Sequence, residues 1–166
     1  MVRAARESDI VVLARLSEQL GYPATPSSIR ERLHVIQTRG DGQVLVAERD
    51  AAVVGWIHVF GAHTLESPPH AEIGGLVVDE LHRGRDIGAQ LLEAAERWSA
   101  SVGYSTVRVR SNVVRESAHR FYQRAGYRLL KQQAVFAKTL DDQDVPAFRS
   151  LAIDPIDLGA RRRRGA

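Results

Sequence analysis

The sequence predicts an α/β domain of the α+β kind, with a mixed, mostly antiparallel central sheet of about seven strands flanked by about four helices. Three observations carry this. Two segments of helical periodicity come before the main strands. Three apolar strands then follow one another with only turns and a loop between them, which is an antiparallel arrangement. A strongly amphipathic helix, a strand, a second helix and two closing segments complete the chain, so part of the sheet is mixed rather than doubly wound.

In chain order, residues 2–5 form a short apolar start. "DIVVLARLSEQL" (9–20) places Ile10, Leu13, Leu16, Ser17 and Leu20 at helical spacing, with Ser8 or Asp9 as the N-cap. "GYPATPS" breaks that helix, and "SSIRERLHVIQT" puts Ile29, Leu33 and Ile36 on one face of another. Residues 43–49 read as a strand, "DAA" as a turn and 53–60 as the antiparallel partner. Residues 61–70, with Pro68 and Pro69, read as a loop. "AEIGGLVVD" (71–79) is a near-continuous apolar strand, where Gly74 and Gly75 indicate a bulge or a close backbone approach. The clearest helix is 87–102, with Ile87, Leu91, Ala95, Trp98 and Val102 as its apolar stripe and Gly103 at its end. "STVRVR" (105–110) alternates as a strand does. Residues 115–125 present Ala118, Phe121, Tyr122 and Ala125 on one helical face. Residues 127–131 and 133–140 read as closing strands. The domain is expected to span 1–140, with 141–166 a flexible extension.

Composition narrows the function classes. The chain has 166 residues, the length of one domain, and no cysteine, which removes thiolate catalysis, disulfides and Cys-ligated zinc. The net charge is +3, but Arg161–Arg164 supply +4, so the remainder is slightly acidic and a nucleic-acid face is not expected. No apolar run approaches the roughly 18 residues of a membrane span, and "MVRAARESD" lacks the apolar core of a signal peptide. The expectation is a soluble cytoplasmic protein without a membrane partner; a homodimer is compatible with the sequence.

Two segments carry chemistry. The strand, loop and helix around "HRGRDIGAQLLE" (82–93) aim a helix N-terminus, with its unpaired N–H groups and partial positive charge, at whatever lies above the loop. Gly84 and Gly88 let a phosphate approach the main chain, and Arg83 and Arg85 add charge. "SNVVRESAHRFYQRAGY" (111–127) again spans strand end, loop and helix. Asn112 and Ser117 can hydrogen-bond a ligand, and Tyr122 brings a hydroxyl to the apolar face of its helix. Phe121 reads as a core aromatic and His119 as solvent-facing.

Together these segments resemble the GCN5-related N-acetyltransferase (GNAT) superfamily over nearly all of residues 2–140. "LVVDELHRGRDIGAQLL" is similar to its acetyl-CoA motif, Q/R-x-x-G-x-G/A, with Arg83 first and Gly88 last, and "NVVRESAHRFYQRAGY" to its C-terminal motif. The resemblance implies a GNAT-like acyl-CoA acyltransferase fold and a set of roles. The main chain of Leu76, Val77 and Val78 would run beside the pantetheine arm, with the Val78 amide polarising the thioester carbonyl. Backbone amides of Arg83, Gly84, Arg85, Asp86, Ile87, Gly88 and Ala89 would hold the pyrophosphate. Asn112 and Ser117 would contact the cofactor further along, and Tyr122 would protonate the leaving thiolate.

Asp86 departs from the motif, which has glycine or alanine there. A carboxylate about 7 Å from one phosphate charge costs about 0.6 kcal/mol in water and about 2.4 kcal/mol at an effective dielectric of 20. If it capped the helix it would also compete for the phosphate's amides.

The implied activity is N-acetyl transfer from acetyl-CoA, the cosubstrate, to an amine, with no metal. Without cysteine, the amine attacks the thioester directly in a ternary complex. Glu72, at the start of the central strand, is the expected base, with His70 as a second candidate. Trp56, Phe60 and Glu66 lie where an acceptor pocket would form, and His70 would also face it. The acceptor is expected to be a small molecule rather than a protein, and its identity and the acyl length stay open. A GNAT-like domain that binds acyl-CoA without catalysis, as a sensor or regulatory unit, is the alternative reading.

Overall fold

The computed structural model describes residues 1–140. The expected extension 141–166, with Arg161–Arg164, lies outside the described residues. Strand β1 (Val2–Ala4) leads through a short 3-10 turn into helix α1 (Ile10–Gln19) and then α2 (Pro26–Arg39). Strands β2 (Gly42–Arg49), β3 (Ala52–Thr64) and β4 (Ser67–Val78) follow, then α3 (Ile87–Ser101), β5 (Val107–Val109) and α4 (Glu116–Arg124). The five strands form one sheet in the order β1-β2-β3-β4-β5. The first three pairings are antiparallel and β4–β5 is parallel. The α/β class, the mixed sheet and the four α-helices agree with the sequence reading.

Two segments differ from it. Residues 61–70 are not a loop: β3 continues to Thr64 and β4 starts at Ser67, so only Leu65 and Glu66 turn the chain. Pro68 and Pro69 fit inside β4 because pairing to β5 begins only at Ala71, so the missing N–H groups leave no ladder incomplete on that side. The expected strands at 127–131 and 133–140 are also absent. Residues 128–140 have no regular structure and are exposed, Leu130, Val135 and Phe136 included. Strand β5 is only three residues long, so its outer edge offers a further strand few hydrogen bonds.

The core lies on both faces of the sheet. On one, Ile57, Val59, Ala71 and Ile73 pack against Ile87, Leu91, Leu92 and Ala95 of α3. Each of the Val, Ile and Leu side chains among them contributes about 1.5–3 kcal/mol of burial. Within the α3 stripe Val102 is half exposed, and Ser99 is buried in its place, its hydroxyl donating to the Ala95 carbonyl. On the other face Ile10 and Leu13 of α1 and Leu33 of α2 cover Val46. Among the described residues, no helix is long and apolar enough to cross a membrane.

Two buried aspartates tie the helices to the sheet. Asp9 sits before α1 without capping it. Its carboxylate instead accepts from the Arg6 amide and from both terminal nitrogens of Arg3. Asp79, just past β4, accepts from Arg15 Nη1 of α1 at 2.6 Å and from the Leu81 amide at 3.1 Å. Hydrogen bonding to Arg3 and to Arg15, respectively, holds each carboxyl below the usual aspartate range. A depressed folded-state pKa contributes stability that is full above the unfolded value of about 3.9 and is lost as pH falls through the folded value. Replacing Asp79 by Asn should therefore lower stability by about 2 kcal/mol at neutral pH. In denaturant titrations the deficit should shrink as the pH is taken below about 4. An unchanged deficit in acid would refute the electrostatic account.

Candidate functional site

The site is built where β4 stops being paired on both sides. Between Val59 and His58, β3 meets an irregular step: Ile73 lies opposite Val59 and Gly75 opposite His58, so Gly74 is an extra residue. This is the bulge expected from the two glycines. Both glycines are also required by close approach. A Cβ on Gly74 would lie 2.9 Å from His58 Nδ1 and 3.1 Å from a Phe60 ring carbon, and one on Gly75 would lie 2.9 Å from the Trp56 indole. The rings of Trp56, His58 and Phe60 thus lie along β4 over bare backbone. Burial lowers the pKa of His58, an effect partly offset by Asp41.

Pairing with β5 covers only Ala71, Glu72 and Ile73. Beyond Ile73, β4 is paired with β3 alone. The Asp79 amide donates to Val54 of β3, so by the alternation of a strand the main-chain groups of Val78 and Leu76 face the open side, while those of Val77 face β3. The Val78 carbonyl accepts Arg83 Nε at 3.2 Å from that side. Of the three expected pantetheine contacts, Leu76 presents free main chain and Val78 a free amide; Val77 contributes a buried side chain instead.

The loop after β4 leads into α3, whose first helical bond runs from Gln90 N to Asp86 O. The amides of Ile87, Gly88 and Ala89 therefore have no helical acceptor. A Cβ on Gly84 would meet nothing within 4 Å, so the loop surface is open there. Asp86 is the N-cap residue, but its side chain makes no capping bond and is exposed. It does not compete for the amides. Its φ of 57° is left-handed, a region glycine enters freely and aspartate enters with some strain. That conformation is the reason glycine would be natural at this position, a reason charge alone did not supply.

Helix α4 lies beside α3. Phe121 and Tyr122 pack against the α3-side core, and the Phe121 ring would touch a Cβ on Gly88 at 3.4 Å, so this core aromatic also borders the helix N-terminus. Tyr122 lies against Phe121 and Tyr127, with ring centroids 5.1 and 5.7 Å away, and its hydroxyl has no hydrogen-bond partner among the described residues. Burial pushes its pKa up to about 12, with Arg115 acting in the opposite sense. It stays protonated at neutral pH, as a proton donor must. Tyr127 donates to Glu96 of α3 at 2.9 Å and anchors the end of α4. Arg115 donates from Nη2 to the Leu20 carbonyl and ties the start of α4 to α1. Asn112 spends its side-chain oxygen on the Val114 amide, and its carbonyl faces His119 Nε2 at 3.0 Å. His119 is thus half-buried rather than solvent-facing. Ser117 is exposed on the first turn of α4.

Glu72 is buried on the face opposite α3, since its neighbours Ala71 and Ile73 belong to the α3-side core. It lies opposite Phe60 on β3 and Arg108 on β5. Arg110 Nε is ion-paired with its Oε1 at 3.1 Å, and His70 Nε2 is 3.9 Å from its Oε2. His70 is not on a surface loop: it is only 4% exposed, within β4. Its Nδ1 lies 3.1 Å from the Pro68 carbonyl, which can only accept, so Nδ1 carries the proton and Nε2 faces Glu72. Glu66 is in the exposed hairpin turn. The sequence reading missed His58, Arg108, Arg110 and Arg115. The strict alternation of "STVRVR" already placed both β5-segment arginines on one face.

The sequence profile of the Acetyltransferase (GNAT) family matches residues 11–127. The chain belongs to the GNAT acetyltransferase family. This GNAT chain is also 38% identical, over 84 residues, to aminoalkylphosphonate N-acetyltransferase of Salmonella typhimurium, a match covering 50% of this chain and 54% of that protein. The matched region thus spans about half the length of that curated relative. Among solved structures, an apo aminoglycoside antibiotic 6'-N-acetyltransferase from Acinetobacter haemolyticus superposes with a TM-score of 0.74 at 16% identity, over 85% of this chain and 99% of that one. An aminoglycoside acetyltransferase from an uncultured soil metagenomic sample, in complex with trehalose, gives 0.71 at 25% identity, over 85% and 96%. The five-stranded sheet and four helices of this GNAT domain are thus a family fold.

If left-handed strain at Asp86 is real, Asp86→Gly should raise the unfolding temperature by a few degrees, equivalent to up to about 1 kcal/mol, and Asp86→Val should lower it. Equal melting of all three proteins would contradict the assignment.

Proposed function

We propose that this protein is an acetyl-CoA-dependent N-acetyltransferase acting on a small-molecule amine. The observation that carries the reading is the splitting of the sheet after Ile73, which leaves the main chain of Leu76 and the amide of Val78 free beside an α3 N-terminus whose first amides are unpaired. An extended amide-bearing arm can pair with the first, and a pyrophosphate with the second. The residues present fit such a cosubstrate: Gly84 leaves room, Asp86 points away from the amides, and Arg83 and Arg85 supply charge.

The transfer follows from these placements. The Val78 amide polarises the thioester carbonyl. The neutral amine attacks the carbonyl carbon, a C–N bond forms and the C–S bond breaks. Tyr122 gives its proton to the departing thiolate, and the amine's surplus proton passes to Glu72, directly or through water. Proton return to Tyr122 and release from Glu72 to solvent restore the site. The chain has no cysteine to carry the acetyl group, so both substrates are bound together. Trp56, Phe60 and His70 wall the amine's side of the sheet, and Asn112 and Ser117 lie along the path of the cosubstrate.

The test is CoA release from acetyl-CoA across a panel of amines. Tyr122→Phe should reduce kcat by about a hundredfold or more while leaving the KM for acetyl-CoA little changed. A Tyr122→Phe enzyme as active as wild type at every pH would eliminate the proton-donor role. Asp86→Asn, which removes the charge and tolerates the left-handed backbone, should tighten CoA binding by up to about tenfold at low salt. No change in the dissociation constant would mean that the carboxylate does not sense the phosphates.

A further inference from the structure

The relatives differ in the charge of what their names say they acetylate. An aminoalkylphosphonate carries an oxyanion close to its amine, whereas an aminoglycoside is a polycation. The charges around Glu72 in this chain decide between such classes.

Glu72 is the buried carboxylate on its face of β4, and it is surrounded by groups of the opposite kind. Arg108 is its register partner on β5. Arg110, two residues on and on the same face, pairs with it through Nε at 3.1 Å. His70 closes the third side at 3.9 Å. One guanidinium, that of Arg110, is therefore ion-paired with the carboxylate, and a second arginine, Arg108, occupies the adjoining register position. Neither is fully used. Arg108 Nε is buried without a hydrogen-bond partner among the described residues, a condition that costs free energy unless a ligand or water meets it. Arg110 commits only Nε, and its side chain is 74% exposed, so the rest of its planar fork is open to a partner. Helix α3, whose N-terminus suits the cosubstrate's pyrophosphate, lies on the opposite face of the sheet, so these arginines are not part of that phosphate cradle.

We propose that the acceptor is a small zwitterionic amine carrying an oxyanion, a phosphonate, phosphate or carboxylate, on a short linker. Arg108 and Arg110 hold the oxyanion, and the amine is turned toward Glu72. A planar guanidinium matches any of these oxyanions with paired N–H bonds. The same two cations repel a polycation. The oxyanion also draws Arg110 partly off Glu72, freeing that carboxylate to take a proton. This inference rests on the N-acetyltransferase reading and adds specificity to it.

The experiment measures kcat/KM for CoA release with 2-aminoethylphosphonate, β-alanine, ethanolamine, spermidine and kanamycin, in wild type and in Arg108→Gln and Arg110→Gln. The decisive quantity is the selectivity for an acidic amine over ethanolamine, because a general loss of stability or of Glu72 basicity cancels in that ratio. Wild type should prefer 2-aminoethylphosphonate or β-alanine over ethanolamine by at least about tenfold, and each substitution should reduce the preference by about tenfold, chiefly through KM. Comparison of the two acidic amines distinguishes phosphonate from carboxylate. Turnover of ethanolamine, spermidine or kanamycin equal to or better than both acidic amines overturns the inference and leaves the acetyltransferase reading standing. A ratio unmoved by both substitutions also overturns it. Saturable acetyl-CoA binding with no amine acetylated overturns the acetyltransferase reading and the inference with it.

Discussion

Gly74 is the surplus residue by which β4 outruns β3, and that surplus marks where the sheet stops being two-sided. From Ala71 to Ile73, β4 is held by β3 on one edge and β5 on the other. After the bulge it keeps β3 and leaves the other edge open, so the main-chain groups of Leu76 and the amide of Val78 have no strand partner on that side. An unpaired strand edge of this kind can take an extended partner with amides of its own. Gly74 and Gly75 also let three rings from β3 rest on the β4 backbone, so the same two residues open one edge and furnish the wall of the opposite face.

Electrostatics then divides the labour between the two faces. On the α3 side the positive field comes from main-chain amides at a helix N-terminus, and the single awkward group, Asp86, is turned outward at the expense of a left-handed backbone. On the other side the field comes from side chains, with Arg108 and Arg110 around Glu72. Also on the α3 side stands Tyr122, its pKa pushed up to about 12 by burial. Asp79 secures the arrangement by joining α1 to the end of β4, and Arg115 does the same between α1 and α4, so the open edge is framed by fixed elements.

Most of the fold was legible because periodicity is a local property. Residues 9–20, 43–49 and 87–102 each declared their element and their buried face. The hairpin at Leu65 and Glu66 was hidden by Pro68 and Pro69, since the sequence does not say that this stretch of β4 has a free edge that tolerates proline. The apolar residues at 127–140 suggested strands that the described structure lacks, because alternation cannot report whether a neighbouring strand is long enough to pair. In the candidate site, motifs singled out the loop before α3 and Tyr122. The environment of Glu72 was not: it depends on β5 lying parallel to β4 in a register that sets Arg108 opposite Glu72. Asp86 was read as a charge problem, and the structure makes it first a backbone problem.

The central claim is that the open edge of β4 and the first turn of α3 together receive a CoA thioester. Residue-resolved amide hydrogen exchange, with and without CoA, tests it directly. The account predicts that CoA slows exchange at the Val78 amide and at those of residues 84–89, and leaves Val77, already paired with β3, largely unchanged. Saturable CoA binding that protects neither Val78 nor the amides of Ile87, Gly88 and Ala89 would contradict it.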